Sequence, residues 1–522
     1  MERHGFESYF VIGEGLLGES ADGRPRTLPD DLERATPPFR FSRMGPNGAG
    51  LQLLDPNRKR LGAAMTVTPS APSQLPAGFT YLGQFIDHDL SFDKTNVMLG
   101  QNVSPAQLLQ ARSPSLDLDS LYGAGPQDPG SAKFYSDGVH LKMGQADGPA
   151  MPGFDLPRVG TGASNAAKRE ALIPDRRNDE NLAVAQTHLA FIRFHNRVVD
   201  SLPAATPPAQ RFAQAREIVV KHYQWMIRHD FLPRICKKAP LDDVFKHGRK
   251  AFEVGATPTD VPTMPIEFSV AAYRLGHSMI RAAYNWNKNF DNGGGTLDLL
   301  FTFSGTSGDL GGGLVLPSIW IADFRRLYDF NEAGRADLVV PAAKFNRAMR
   351  IDTRLVHPLQ TLRQQTIGPP PVPATDPRRN LAFRNLTRAR MVKLATGQQM
   401  GRFLKNKGIV MNLLAKPQIR DGNGGATLET LTATQRDALL KNTPLWFYIL
   451  REAELNAGKL RGVGGRIVAE TFHRAMEGSE FSIVRDTAFR PTFGPNNTTF
   501  RMVDLLLFAF EGKKALLNPL GD

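Results

Sequence analysis

The stretch Tyr81–Phe92, YLGQFIDHDLSF, combines apolar side chains with three consecutive titratable ones. The apolar positions favour a buried helix, which would carry Asp87, His88 and Asp89 into the interior with it. A buried carboxylate without a partner costs several kcal/mol or more. The stretch therefore indicates a compensating group, which is a metal ion, a cofactor or a salt-bridged core without chemistry. On a helix, Gln84 and His88 lie one turn apart on one face, which suits a polar cavity as well as an ordinary core histidine.

The composition indicates a soluble globular protein. The chain has 522 residues, of which 41% are hydrophobic and 22% charged, enough for one large domain or two to three smaller ones. It has no run of about 18 apolar residues, so we expect no membrane span. The first residues do not resemble a secretory signal, which predicts a cytoplasmic protein or export without a cleavable leader.

The net charge of +13 raises the question of a nucleic-acid partner. Lys and Arg are scattered rather than clustered, so we expect no nucleic-acid binding and interpret the charge as a basic surface that attracts small anions. Cys236 is the only cysteine, which excludes an intramolecular disulfide and an all-cysteine metal site. It can link two chains or be a buried thiol, and a monomer is favoured.

The pattern along the chain predicts a mainly α protein. Residues 1–75 are rich in Gly, Pro and charge and are predicted to form an extended arm, followed by one large domain over 76–522. Helical periodicity begins near Phe79 and returns in long amphipathic runs. Glycine-rich residues 291–317 are interpreted as a surface loop, and Gly368–Pro377, GPPPVPATDP, as a rigid connector.

Two further segments carry polar groups in apolar surroundings. In Ile173–Asp200, Asn178 or Asp179 is predicted to cap a helix, and Glu180 to lie in its first turn. Arg177 and Glu180 belong either to a site or to an ordinary charged helix start. In Glu267–Trp286, His277 lies in a nearly continuous apolar helix, as a core histidine or as the single imidazole ligand of a haem.

The order of these segments resembles the animal haem peroxidase family of the peroxidase–cyclooxygenase superfamily. GQFIDHDLSF, RRNDENLAVAQTHLAFIRFHNR and YRLGHSMI follow one another as in that family. SPSLDLDSLYG is similar to its calcium loop, and FRNLTRARMVKLATGQQM to its segment behind the proximal histidine. The resemblance spans about Phe79 to Met476. It implies a single large helical domain with haem b buried between central helices.

On the distal side the resemblance implies three catalytic residues. His88 would take a proton from hydrogen peroxide and return it to the leaving oxygen, which requires a neutral imidazole and therefore a pKa below about 6.5. Arg177 would stabilise the developing negative charge, and Gln84 would hold water or halide. A ferryl intermediate would then oxidise small donors: halides such as bromide or iodide, thiocyanate, or phenols.

On the proximal side the resemblance implies that His277 is the iron ligand. Arg274, one turn earlier, and Arg388 would pair with haem propionates. Asn385 would accept the N–H of the proximal ring and make the imidazole more anionic.

The resemblance also allows a covalent haem. Asp87 and Glu180 match carboxylates that form ester bonds to haem methyl groups in mammalian members. The family's sulfonium-forming methionine is replaced by Asn181, so that link cannot form, and efficient chloride oxidation is not expected.

A calcium site is the last feature that the resemblance implies. Hard oxygen ligands suit calcium, and the alternative is a solvated acidic loop. The matching ligands are Asp89, Ser113, Ser115 (through its carbonyl), Asp117 and Asp119.

Three other functions are weighed against a peroxidase. Cyclooxygenases place a radical-forming tyrosine three residues before the proximal histidine, where this chain has Arg274, with Tyr273 one residue off. A fatty-acid dioxygenase is therefore the second interpretation. An inactive peroxidase-like adhesion module would need neither His88 nor His277. For a phosphohydrolase using the His–Asp pair we find no further ligands.

Overall fold

The computed structural model describes residues 39–48, 50, 53–67, 70–95, 97, 99–148, 151–363 and 371–522. It is mainly helical, at 46% helix with little strand, as the sequence predicts. In the described ranges the α-helices are α1 Asp55–Thr66, α2 Gly78–Leu90, α3 Asp119–Tyr122, α4 Asn165–Arg169, α5 Leu182–Ser201, α6 Pro208–Met226, α7 Leu232–Ile235, α8 Lys238–His247, α9 Ile266–Ser269, α10 Gly276–Met279, α11 Leu297–Thr302, α12 Leu381–Met391, α13 Gly397–Asn406, α14 Lys416–Asp421, α15 Ala433–Lys441, α16 Leu445–Glu454, α17 Val463–Glu477, α18 Met502–Ala509 and α19 Lys514–Leu517.

The strands are short and form two-stranded pairs. They are β1 Phe41–Ser42, β2 Pro72–Pro76, β3 Gly144–Gln145, β4 Pro152–Asp155, β5 Met264–Pro265, β6 Ala283–Tyr284, β7 Gly295–Thr296 and β8 Arg347–Met349. Strand β1 pairs in parallel with β5, whereas β2 with β8, β3 with β4 and β6 with β7 are antiparallel. Each sheet of the described residues has only two strands, so the strands do not form a separate layer of the fold.

Helix α2 is the centre of the molecule. All of its residues are buried, and it packs against α3, α5, α10 and the 3₁₀ turn Arg176–Asp179. Burying an aromatic or aliphatic side chain such as Phe85 stabilises the fold by roughly 1.5–3 kcal/mol. The helix ends because Ser91 is extended, at φ −145° and ψ 137°. Asp87 and Asp89 lie in its last turn, where the helix dipole disfavours negative charge, so cationic neighbours are required.

The predicted N-terminal arm is partly helical. Residues 55–66 form α1, which packs on α12, whereas residues 1–38 lie outside the described part. A Cβ atom on Gly62 would lie 3.0 Å from the backbone nitrogen of Phe383, so the glycine permits the close approach of the two helices. Apolar burial of Leu61 and Met65 overrides the extended appearance of the surrounding sequence. The domain boundary near residue 75 stays a prediction.

Two other loop predictions have different outcomes. Residues 291–317 are not simply a surface loop, because they contain β7 and α11 and bury Leu297, Leu300 and Phe301. The connector predicted at Gly368–Pro377 begins outside the described residues, and its described part has no helix before Pro377.

Cys236 is buried at 1% exposure, as the buried-thiol alternative expects, and its position does not suit a link between chains. Over the described ranges, no helix combines the length and the apolar character needed to cross a bilayer.

Candidate functional site

His88, near the end of α2, lies in a buried cluster of polar side chains, which we name the distal pocket. Its Nδ1 is 2.9 Å from Asn178 Oδ1, and an amide oxygen only accepts, so Nδ1 carries the proton and Nε2 has the lone pair. Among the described residues none makes a hydrogen bond to Nε2. Burial lowers the pKa of His88 to about 3, with Arg177 acting in the same direction. The imidazole is therefore a neutral base at physiological pH.

Asn178 has a role that the sequence did not indicate. Instead of capping a helix, it lies in the 3₁₀ turn Arg176–Asp179, which packs on α2 and brings its amide to His88. The cap of α5 is Asn181, whose backbone is extended and whose Oδ1 accepts from the nitrogen of Val184 at 3.0 Å. The predicted cap at Asn178 or Asp179 is wrong because both residues already have turn conformations.

Gln84, Glu180 and Asn181 form a hydrogen-bonded row beside His88. Gln84 Nε2 donates to Glu180 Oε1, and Asn181 Nδ2 donates to Gln84 Oε1 at 2.9 Å. Glu180 Oε1 lies 3.7 Å from His88 Nε2. Burial raises the pKa of Glu180 well above its usual range. The polar ends of Gln84, His88 and Glu180 thus meet in one place.

Arg177 is fixed by four hydrogen bonds. Its Nε and Nη2 donate to the two oxygens of Asp175, while Nη1 and Nη2 donate to the carbonyls of Ser91 and His88. The guanidinium also stacks over Phe92 at 4.1 Å. It therefore compensates the C-terminal dipole of α2, and one of its five N–H groups is left for other partners.

His277 lies in the short helix α10 next to α2. The predicted continuous helix is wrong, because the segment is divided into α9, a 3₁₀ turn Ala272–Leu275 and α10. The Asn385 amide reaches the ring, with Nδ2 2.6 Å from His277 Nδ1. Since the two ends of an amide exchange by a half-turn, Oδ1 can accept from Nδ1–H and leave the lone pair on Nε2.

The arginines predicted near the cofactor are both buried. Arg274 donates from Nε to Ser269 O at 2.8 Å, and its carbonyl accepts from Trp446 Nε1 at 3.3 Å. Arg388 Nη2 donates to Asp93 Oδ2 at 2.6 Å. Of the described residues, none accepts from Arg388 Nε or Nη1. Two buried guanidinium donors without an acceptor fit an anionic group that lies against Arg388.

Asp87 lies between the two halves of the site. Its Oδ1 accepts from Ser91 Oγ at 3.3 Å. Burial raises the pKa of Asp87 to about 6, opposed by the positive charges of Arg274 and Arg177. The carboxyl group of Asp87 therefore lies within electrostatic range of both the proximal and the distal arginine.

A second polar site lies on the other side of α2. Carboxylate oxygens of Asp89, Asp117 and Asp119 lie within 4.8 Å of one another, and we name these three residues the acidic cluster. Ser113 Oγ donates to Asp117 Oδ2 at 2.9 Å, and the Ser115 carbonyl accepts from the Asp117 nitrogen at 3.0 Å. Burial raises the pKa of all three carboxyl groups, that of Asp117 to about 7, and repulsion by Asp119 adds to the rise for Asp89 and Asp117.

Three groups of sequence-predicted residues come together. Gln84, His88, Glu180 and Arg177 meet near the end of α2, Asn385 of α12 contacts His277, and the five predicted calcium ligands lie in the acidic cluster or contact it. Asp87, Arg274 and Arg388 are buried and have other hydrogen-bond partners, which are Ser91, Ser269 and Asp93. Asp175 and Asp93 were not singled out from the sequence, and Asn178 was singled out only as a helix cap. The one available signal was that Asp175 and Asn178 flank Arg177 in the same charged turn.

A family model and several known proteins match part of this chain. The family model for animal haem peroxidase matches residues 84–305, which include His88, Arg177 and His277 but end before Asn385. A peroxidase-like protein from Margaritifera margaritifera is 25% identical over 251 residues, 40% of this chain and 32% of that protein. Thyroid peroxidase from Mus musculus is 27% identical over 188 residues, 34% of this chain and 20% of that protein. The matches therefore span a third or less of these relatives.

Solved structures share the fold over nearly the whole chain. Peroxidase A from Dictyostelium discoideum has a TM-score of 0.59 at 15% identity and covers 97% of this chain and 99% of its own. Fatty acid alpha-dioxygenase from Arabidopsis thaliana has a TM-score of 0.53 at 12% identity, with 98% and 84% covered. At these identities the likeness is one of fold alone.

Proposed function

The chain belongs to the animal haem peroxidase family through residues 84–305, and on this premise we propose that it reduces hydrogen peroxide and oxidises small donors. The observation that carries the proposal is the buried pocket in which a neutral His88 presents a free Nε2 beside Gln84 and a fixed Arg177. Binding or adhesion requires no such base. Peroxide cleavage does, because one proton must move from one oxygen to the other.

The described residues fit a haem. His277, with Asn385 behind it, would hold the iron, and the two free donors of Arg388 would receive a propionate. Arg274, three residues before His277, is buried and would lie near a second propionate. A bound haem supplies the iron at which peroxide is reduced and the oxidising equivalents that the donor then consumes.

The protein's part in the reaction is proton movement and charge stabilisation. His88 Nε2 takes a proton from peroxide in the pocket and gives it to the departing oxygen, which leaves as water. Asn178 keeps Nε2 unprotonated between turnovers through the proton on Nδ1. Arg177 adds a positive charge that does not have to reorganise during O–O cleavage. Gln84 offers an amide to water or to a small anion.

Small anions and phenols are the proposed donors. With Asn181 in the position of the family's methionine, no sulfonium link can raise the oxidising strength. We therefore expect bromide, iodide and thiocyanate to be oxidised far faster than chloride. Steady-state rates at neutral pH with each anion measure this, and brisk chloride oxidation would contradict it.

The testing experiment reconstitutes the purified protein with haemin. We expect a Soret band in the wild type, loss of the band or of turnover in His277→Ala, and a peroxide step slower by about 10²-fold or more in His88→Ala. His195→Gln is the matched control, since this buried histidine has both ring nitrogens engaged, by Tyr122 and Val139. A wild type without a Soret band, or an unchanged peroxide step in His88→Ala, would refute the proposal.

A fatty-acid dioxygenase is the second candidate. A plant fatty acid alpha-dioxygenase shares the fold, at an identity of 12% that concerns the fold alone. Tyr273, however, stacks on Phe268 at a centroid distance of 4.6 Å, and the residue three positions before His277 is Arg274. Oxygen uptake with palmitate, compared with peroxide consumption with iodide, separates the two candidates.

We further propose that the acidic cluster binds calcium. Asp117 Oδ1 and Asp119 Oδ1 have no hydrogen-bond partner among the described residues, and Asp89 is fully buried. Three converging carboxylates are stable together only when protonated or when a cation lies between them. Ser113 and the Ser115 carbonyl would complete an all-oxygen ligand set, which suits calcium.

A further inference from the structure

Arg112 lies between the acidic cluster and the distal pocket. Its Nε donates to Asp175 Oδ2 at 2.7 Å, and its Nη2 donates to the Pro174 carbonyl at 3.1 Å. On the other side its Nη1 is 3.8 Å from Asp119 Oδ2. One guanidinium therefore contacts both the cluster and Asp175.

Asp175 is the counter-ion of two arginines at once. Its Oδ1 accepts from the backbone nitrogen and Nε of Arg177, and its Oδ2 accepts from Arg177 Nη2 and Arg112 Nε. Burial acts to raise the pKa of Asp175, but Arg112 and Arg177 hold it well below its usual range. The side chains of Arg112, Asp175 and Arg177 are 9%, 1% and 2% exposed, so solvent screens their interactions weakly.

Arg177 continues the series of contacts into the distal helix. It donates to the carbonyls of His88 and Ser91 in the last turn of α2. Charges of alternating sign thus run from Asp119 through Arg112, Asp175 and Arg177 to the backbone of His88.

When all four carboxylates are ionised, the charges of this series balance with a divalent cation. With such an ion, the three carboxylates of the cluster, Asp175 and the two arginines carry no net charge. Without the ion, the same ionised groups carry two negative charges, and Arg112 is attracted toward Asp119 and away from Asp175. Displacement of Arg112 leaves Asp175 with Arg177 as its remaining cationic partner and changes the field at the pocket.

We propose that cation binding at the acidic cluster is energetically coupled, through Arg112 and Asp175, to the binding of small ligands beside His88. The inference rests on the haem and calcium of the proposed function. Arg112 and Asp175 are positioning residues in this scheme, because neither is proposed to touch peroxide. By linkage, two factors must be equal: the factor by which calcium changes the affinity for the distal ligand, and the factor by which that ligand changes the affinity for calcium.

The competing route for such coupling is α2 itself. Asp89 and His88 are neighbours in this helix, so a cation on Asp89 can act on His88 without Arg112. A variant that removes the arginine but keeps all three carboxylates distinguishes the two routes.

The experiment measures both halves of the linkage on haem-loaded protein. Cyanide affinity is taken from the Soret shift with calcium or with EGTA present, and calcium affinity is taken by calorimetry with and without cyanide. In the wild type we expect the same factor from both, about fivefold or more. In Arg112→Met and Asp175→Asn the factor should approach one while haem and calcium still bind, and Arg112→Lys should restore part of it.

Asp323→Asn is the matched control. Asp323 accepts from Arg325 and Arg326 in the same kind of buried turn. The substitution therefore removes a comparable buried carboxylate that is not part of the series from Asp119 to Arg177. The control should keep the wild-type factor. An uncoupled wild type, or full coupling retained in Arg112→Met, would overturn the inference while leaving the peroxidase intact. Protein that binds no haem would overturn both.

Discussion

At the residue scale, the Asn178 amide is the contact that decides which nitrogen of His88 is basic. Replacing it by leucine removes the acceptor of Nδ1–H, so the ring loses its preference for the productive tautomer. We expect Asn178→Leu to slow the peroxide step by about tenfold to a hundredfold with haem still bound. Stopped-flow mixing with peroxide, followed at the Soret band, measures the rate.

The matched variant is Asn178→Asp, which keeps an acceptor oxygen and should remain nearer to the wild type. Equal rates for Asn178→Leu and the wild type would show that another group orients His88.

A second prediction at this scale concerns covalent attachment of the haem. Asp87 and Glu180 are both buried, and both belong to segments that flank the pocket. Because ester formation in the family requires oxidation of the haem, attachment should be incomplete as expressed and should increase after brief peroxide treatment. Denaturing gels stained for haem measure it.

Single replacements of Asp87 or Glu180 by valine should each remove one bond, and the double variant should release all haem into acidified butanone. Haem that remains freely extractable from treated wild type would refute the linkage. Glu180 already accepts from Gln84, so Gln84→Ala should alter the yield of the Glu180 bond and not that of Asp87.

The residues that the sequence could indicate are those that belong to short motifs. His88, Arg177 and His277 are recognisable because each occurs with characteristic neighbours in the chain. Contacts between distant positions could not be predicted from the sequence. Asn178 meets His88, and Asp93 meets Arg388, only through tertiary packing. A contact between positions 93 and 388 has no local signature in the sequence.

At the element scale, the acidic cluster should control the stability of α2. A cation that binds only the native state stabilises it by mass action. We expect chelation to lower the melting temperature of the wild type by several degrees, and Asp117→Ala to lower it and to abolish the effect of chelator. Calorimetry with and without EGTA measures both.

Asp137→Ala, in an exposed loop, serves as the control and should respond to chelator as the wild type does. Gently purified protein that contains no calcium and ignores chelators would exclude the site.

The junction of α16 and α17 carries a pH-dependent contribution. Glu452 accepts from the backbone nitrogens of Val463 and Gly464 at 3.1 Å, and burial raises its pKa from 4.5 to about 7. Since the folded state binds this proton more tightly, its stabilising contribution is full below about pH 4.5 and is lost as the pH rises through 7. The change amounts to about 3 kcal/mol at most.

Glu452→Gln keeps an acceptor and cannot titrate, so its free energy of unfolding should fall less than that of the wild type between pH 4.5 and 8. Urea unfolding at several pH values measures the difference. Parallel profiles for the two proteins would show that Glu452 does not titrate in this range.

At the scale of the whole molecule, periodicity predicted the long helices and not the short ones. Helices α2, α5, α16 and α17 follow apolar repeats that are visible in the sequence. The proximal segment looks like one helix but is broken, and partners from distant parts of the chain hold its pieces. Glu267 accepts from the nitrogens of Met44 and Gly45, and Trp446 donates to the Arg274 carbonyl.

The packing of α1 on α12 sets an order of events during synthesis. Helix α12 contains Asn385 and Arg388, and the backbone of its residue Phe383 packs against Gly62 of α1. The ribosome releases Gln84 and His88 about 300 residues earlier, which is roughly 15–60 s at 5–20 residues per second. During that interval the segment that contains Gln84 and His88 lacks the residues of α12 that are proposed to hold the haem. Helix α1 likewise lacks the helix on which it packs. We therefore expect the proposed haem to be captured only after residue 388 has been made, and nascent chains halted before residue 380 should contain no haem.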